Sequence, residues 1–153
     1  YYKNKIIVKE IDKFIKNSKA RNILLYIPLG MEVDVRPLIN NLRKYRKNVY
    51  VPFMHLESFK IVKYRLPLHK KRFGIKEPNN SFLKPKKIDV AIVPIVGVDA
   101  LNKRIGYGKG MYDRFFDKLN YKPTIVFTQL VLCKSNSILS DNYDIKADYI
   151  ITS

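Results

Sequence analysis

The chain reads as an α/β domain with a mostly parallel sheet, and three observations carry that reading. Short continuous apolar runs such as Ile23-Leu24-Leu25-Tyr26-Ile27 and the segment DVAIVP look like strands covered on both faces. Between them lie stretches whose apolar residues recur three and four apart, the period of an amphipathic helix. Gly106, Gly108 and Gly110 fall within five residues and run directly into a further amphipathic segment, a turn that opens a helix. The expectation is a single three-layer, Rossmann-like domain over residues 1–153.

Taken in order, Ile7, Ile11, Phe14 and Ile15 predict a first helix ending near Asn17-Ser18. The Ile23–Ile27 strand is broken by Pro28 and Gly30. A second helix begins near Arg36-Pro37, where proline suits the first turn, and carries Leu38, Ile39 and Leu42 on one face up to Arg46. Asn48 to Pro52 predicts a strand, and the alternation from Phe59 to Tyr64 predicts another nearer an edge. From Arg65 to Lys87 the pattern fades among Pro67, Gly74, Pro78 and Pro85, so this stretch reads as a loop long enough to be functional. Ile88 to Pro94 is the clearest core strand. A turn at Asp99 to Lys103 leads into the glycines, a helix runs from Met111 to Leu119, and strands follow at Thr124 to Thr128 and Asp148 to Thr152.

Composition excludes several classes. The apolar runs are too short to span a bilayer, and no charged-then-apolar start resembles a signal peptide. Cys133 is the only cysteine, so no intrachain disulfide or cysteine-rich zinc site is possible, and a reducing, cytoplasmic setting is expected. His55 and His69 have no partner spacing for zinc. The net charge of +17 raises a nucleic-acid role, with Tyr1, Tyr2, Lys3 and the run Lys70-Lys71-Arg72 as basic-aromatic candidates. Against that, the lysines are scattered through every segment, with no RNP-type motif. A positive field also draws in a small polyanionic substrate. A basic RNA-binding module therefore stands as the rival from a different class.

The glycine cluster is the motif with chemistry in it. Glycine lets a backbone approach an anion closely, and a following helix directs unpaired N–H groups at the same point. Lys109 adds a point charge, and Asp113 supplies a hard oxygen ligand for a magnesium ion. The spacing is neither that of the P-loop nor that of the dinucleotide fingerprint, so on pattern alone a structural turn stays open beside the phosphate site.

Four blocks, LLYIPLGMEVDVRPLI, VPIVGVD, RIGYGKGMYDRFF and SDNYDIKADYIIT, occur in an order and spacing that resembles the 5-formyltetrahydrofolate cyclo-ligase family, also called methenyltetrahydrofolate synthetases, over nearly the whole chain. The resemblance implies an ATP-dependent ring closure of 5-formyltetrahydrofolate to 5,10-methenyltetrahydrofolate, with ADP and phosphate released and magnesium (Mg2+) required. In that chemistry the formyl oxygen takes the γ-phosphoryl group, and the neighbouring folate nitrogen then attacks the activated carbon and expels phosphate. It further implies a cytoplasmic monomer acting on small molecules, with no nucleic acid and no membrane as partner. A relative that only binds folate or nucleotide, without turnover, is the second alternative.

Carried onto this chain, the resemblance makes Arg104, Ile105, Gly106, Tyr107, Gly108, Lys109, Gly110, Met111 and Tyr112 the ATP-binding stretch, with Arg104 and Lys109 offsetting phosphate charge in catalysis. Asp113 and Asp144 match the metal positions. Leu29 and the Gly30–Val35 block match the folate-contacting loop, with either Glu32 or Asp34 facing the pterin, and Tyr107 to Met111 also border the folate pocket. Glu77, in the segment GIKEP, matches a family loop that closes over the site or lies on the surface. Met111 replaces an aromatic residue of relatives, which predicts altered folate affinity. The family's basic ATP-reaching helix has no match before Lys9, so it is expected upstream of Tyr1 or dispensed with.

Overall fold

The computed structural model describes residues 1–153. Helix α1, Tyr2–Asn17, buries Ile7, Ile11 and Ile15, which lie four apart on one stripe, and closes where the Ser18 N–H donates to the Phe14 carbonyl at 3.0 Å. It leads to β1 (Asn22–Leu24), α2 (Arg36–Lys44), β2 (Asn48–His55) and β3 (Ser58–Lys63). A two-stranded ribbon of β4 (His69–Lys70) and β5 (Lys76–Glu77) follows, then β6 (Val90–Pro94) and the hairpin β7 (Gly97–Val98) and β8 (Arg104–Ile105). The chain ends with α3 (Met111–Asp117), β9 (Thr124–Thr128) and β10 (Tyr149–Ile151).

The main sheet has six strands in the order β10-β9-β6-β1-β2-β3, all parallel except β3, which pairs antiparallel at the edge. The mostly parallel α/β sheet expected from the apolar runs is therefore what forms, with the Phe59 strand at the rim. From β1 the chain winds outward to β2 and then returns to the other side of β1 as β6. That reversal opens a crevice beyond the carboxyl ends of β1 and β6, where ligands bind in doubly wound sheets.

Alternation along the strands divides the interior. Ile23, Leu25, Val90, Ile92 and Val126 join the buried stripes of α1 and α2 in a core of 16 residues. Leu24, Ala91, Val93, Ile125 and Phe127 face the other way and join Phe115 of α3 in a core of 12. Three layers result, helices on both faces of the sheet.

Two departures from the expected boundaries meet at the carboxyl end of the sheet. β1 stops at Leu24 instead of reaching Ile27, while β2 runs on past Pro52 to His55 because the antiparallel pairing with β3 continues to His55 and Ser58. The last bond from the first strand joins the Leu25 N–H to the Tyr50 carbonyl, at 2.9 Å. Beyond it, alternate residues of β2 turn their backbone toward an empty position. Pro52 has no N–H to lose there. Met54 does, and the buried Glu77 carboxylate accepts it at 2.9 Å. The long loop thus contains a ribbon docked on the end of β2 by one hydrogen bond.

Candidate active site

A cavity of about 360 Å³ lies at the carboxyl ends of β1, β2 and β6. Tyr26, Ile27 and Leu29 follow β1 into one wall, Pro52, Met54 and Phe59 form another, and the segment from Arg104 to Tyr112 forms a third. The ribbon contributes Phe73, Ile75 and Lys76. Most of the wall is apolar, and its charged groups are Glu32, Lys76, Arg104 and Lys109.

Arg104 is the distinctive one. Its side chain, 8% exposed, crosses beneath the Tyr112 ring with the guanidinium carbon 4.8 Å from the ring centroid. Nε and Nη2 both donate to the Pro94 carbonyl, at 3.2 and 3.1 Å, and Nη1 donates to no protein group. The molecule's ion pairs within 4 Å are Lys16–Asp12 and Arg36–Asp34, so this guanidinium has no carboxylate against it. Burial lowers its pKa, against the Asp113 and Glu32 carboxylates, which raise it. A buried cation without a counter-ion is costly unless a ligand supplies the anion. Gly106 makes this placement possible, because a Cβ there would come 2.2 Å from Nη1.

The glycine loop is clamped from below. Asp99, fully buried, accepts the N–H groups of Leu101 and Lys103 at 2.9 and 3.0 Å and those of Leu139 and Ser140 at 3.3 and 3.2 Å, besides the Ser140 hydroxyl. These donors hold its carboxyl far below the usual carboxylate range. They tie the β7–β8 hairpin to the segment before β10, which also receives the Arg104 N–H at Ile145, at 2.8 Å. Gly110, at φ +61°, caps α3 in the left-handed conformation, and Arg114 ties that turn to the carbonyls of Lys109 and Glu57. α3 has only seven residues, so its dipole supplements the side-chain charges of Arg104 and Lys109 near the turn. Lys109 is exposed, with its ammonium 4.7 Å from the Phe73 ring centroid.

Glu32 and Asp34, left open by the sequence, occupy different places. Glu32 lines the cavity and accepts the Leu29 N–H at 2.8 Å. Burial raises its pKa, against the Leu29 N–H and Arg104, which lower it. Asp34 is outside: both its oxygens bind the Arg36 guanidinium at 2.7 Å, and its pKa is lowered by that partner. Of the other expected residues, Leu29, Tyr107, Lys109, Gly110, Met111 and Tyr112 border the cavity, whereas Ile105, Gly106 and Gly108 belong to the turn behind it.

Asp113 and Asp144, thirty-one positions apart in the chain, are neighbours in space. Asp113 Oδ1 accepts the N–H of Ile145 at 2.9 Å, the residue after Asp144, and Asp144 Oδ2 accepts the Asp141 N–H at 3.1 Å. Each keeps a second carboxylate oxygen outside these bonds. No cluster of three or more His, Cys, Asp or Glu residues forms.

Tyr26, Met54, Phe59, Phe73, Ile75 and Lys76 were not anticipated as wall residues. For Ile75 and Lys76 the GIKEP segment is the available signal, and Phe73 immediately precedes it. Phe59 reads as an ordinary strand residue and Met54 falls between two predicted strands, and nothing local distinguishes either.

A doubly wound sheet with an unpaired buried arginine at its switch point, in a mostly apolar cavity beside a glycine turn, is the arrangement of an α/β enzyme that binds an anionic ligand. The sequence profile of the 5-formyltetrahydrofolate cyclo-ligase family matches residues 3–153, and the chain belongs to that family. It is 28% identical over 140 residues to the 5-formyltetrahydrofolate cyclo-ligase of Haemophilus influenzae, covering 86% of this chain and 75% of that one. To the enzyme of the same name from Escherichia coli it is 29% identical over 107 residues, 62% of this chain and 57% of that protein. Among solved structures, a 5,10-methenyltetrahydrofolate synthetase from Mycoplasma pneumoniae superposes with a TM-score of 0.75 at 25% identity, over 98% of this chain and 84% of the other. The corresponding protein of Aquifex aeolicus gives 0.79 at 26%, over 97% and 77%.

Proposed function

We propose that this chain catalyses the ATP-dependent cyclisation of 5-formyltetrahydrofolate to 5,10-methenyltetrahydrofolate, releasing ADP and phosphate. The observation that carries the reading is Arg104: a buried guanidinium on the cavity wall with free Nη1 donors and no carboxylate partner, in a member of this family.

The work assigned to the protein is positioning and charge neutralisation. Arg104 and Lys109 offset charge on the transferring phosphoryl group, Arg104 from a buried position and Lys109 from an exposed one. Glu32 accepts hydrogen bonds from the pterin's N–H groups, and its desolvation strengthens them. Tyr26, Phe59 and Tyr112 exclude water, so that the phosphorylated formyl group meets the folate nitrogen before it meets a hydroxide. Burial holds the Tyr112 phenol well above its ordinary pKa, so it stays neutral.

Asp113 and Asp144 fit a magnesium site, since two hard carboxylates leave the remaining octahedral positions to phosphate oxygens and water. When bound, that ion would neutralise phosphate charge. A cytoplasmic protein acting as a monomer completes the proposal; the free Cys133 supports the reducing compartment. The test is direct: chain, ATP, magnesium and 5-formyltetrahydrofolate together develop methenyl absorbance, one ADP per product. Absence of that absorbance with tight binding of both ligands would favour a relative without turnover.

A further inference from the structure

The ribbon of β4 and β5 carries charges that the reaction so far leaves unused. Lys70 and Lys76 are direct cross-strand partners, so their side chains leave the ribbon on the same face. Lys76 lines the cavity, which puts Lys70 on the cavity side as well. Like charges facing each other across a two-stranded ribbon are destabilising, and neither lysine has a carboxylate within 4 Å, because the molecule's ion pairs are Lys16–Asp12 and Arg36–Asp34. Both are exposed. They therefore stand at the mouth of the cavity, while Arg104 and Glu32 are set deeper.

The ribbon is held in place independently of these lysines. Glu77, 2% exposed, fixes its end to the Met54 N–H, and Phe73 at its tip lies against the Lys109 ammonium. Its cations are thus presented at a set position and are not part of a drifting surface loop. The cavity, about 360 Å³, is at the small end of ligand sites, roughly 300–1,000 Å³. A substrate made of a bicyclic ring, a benzoyl group and a glutamate leaves its amino-acid end at the mouth.

We infer that Lys70 and Lys76 form the carboxylate-binding end of the substrate site, taking the glutamyl carboxylates of the folate while the ring occupies the apolar cavity. This rests on the cyclo-ligase reading given above. The anion that relieves the lysine pair is a carboxylate from the folate; a phosphate of ATP has the same charge chemistry, and the experiment separates the two.

Lys76→Gln, Lys70→Gln and the double variant are compared with the unaltered chain using 5-formyltetrahydrofolate and 5-formyltetrahydropteroate, which lacks the glutamate. The expected result is a KM for the glutamate-bearing substrate raised about tenfold per lysine, the contribution of one charge-assisted contact. The KM for the tail-less compound and for ATP stays unchanged, as does kcat. An equal rise for both folates would overturn the inference by assigning the lysines to cavity shape, a rise confined to ATP would assign them to phosphate, and no change would assign them to neither. Calorimetric binding of both compounds decides the same question without turnover. A chain that binds with this pattern but forms no product thus sinks the function and leaves the carboxylate site standing.

Discussion

At the scale of single residues, function and stability pull apart at Arg104. Leaving a guanidinium buried without a counter-ion costs stability, while in the role proposed for it the same group would give a phosphoryl transition state a fixed positive charge. Arg104→Met is therefore expected to lower kcat/KM by about 10²–10³-fold while the melting temperature holds or rises. Steady-state kinetics beside thermal unfolding checks both halves, and an unimpaired variant would remove Arg104 from the site. Glu32 makes a pH statement. Its pKa is raised by burial above the ordinary 4.5, so the carboxylate takes up a proton before an exposed one does as pH falls. Affinity for the folate should weaken as pH drops through that raised value, and Glu32→Gln should bind more weakly but with a flat pH profile. A wild-type profile that is itself flat from neutrality to pH 4.5 would take the ionised Glu32 out of folate binding.

At the scale of elements, the turn between β8 and α3 uses its glycines for different ends. A Cβ on Gly106 would collide with Arg104 Nη1 at 2.2 Å. The atom struck is the end of a side chain, which can move, so Gly106→Ala should fold normally and lose activity to nearly the extent of Arg104→Met. Gly110 is different: at φ +61° an alanine is strained by roughly 1–2 kcal/mol, and its Cβ would lie 3.1 Å from Arg114 Nη1. Gly110→Ala should thus lower the melting temperature as well as the rate. Measuring both properties in both variants tests the division, and an inactive-but-stable Gly110→Ala beside an unstable Gly106→Ala would reverse it. The carboxyl end of the sheet shows the same economy of parts: β1 ends early, Pro52 occupies a position with no strand opposite it, and Glu77 takes up the Met54 N–H.

At the scale of the whole molecule, the excess of 17 positive charges acts as a field more than as a set of contacts. Both proposed substrates are polyanions, and a cationic surface raises their encounter rate in a manner that salt suppresses. Raising ionic strength from 0.05 to about 0.5 M, where the screening length falls well below 10 Å, should lower kcat/KM for both substrates and leave kcat in place. A salt-independent kcat/KM would show that the field does not steer them.

The sequence by itself determined the helices and the main-sheet strands, though not the two short ribbons β4–β5 and β7–β8. Four-residue spacing placed Ile7, Ile11 and Ile15 on one helical stripe, unbroken apolar runs marked strands covered on both faces, and clustered glycines marked the turn beside the site. These are local signals, set by the periods of helix and strand, and they survive without knowledge of neighbours. Strand ends were less legible, because β2 runs as far as its pairing with β3 continues, while β1 stops short of both its neighbours. Only the tertiary structure decided that Glu32, and not Asp34, faces the cavity, that Asp113 meets the Asp144 loop, that Arg104 is buried without a counter-ion, and that a ribbon from the long loop sets two lysines at the mouth. Each depends on which distant segments the sheet order brings together, and burial, pairing and the resulting pKa shifts exist only once that order is made.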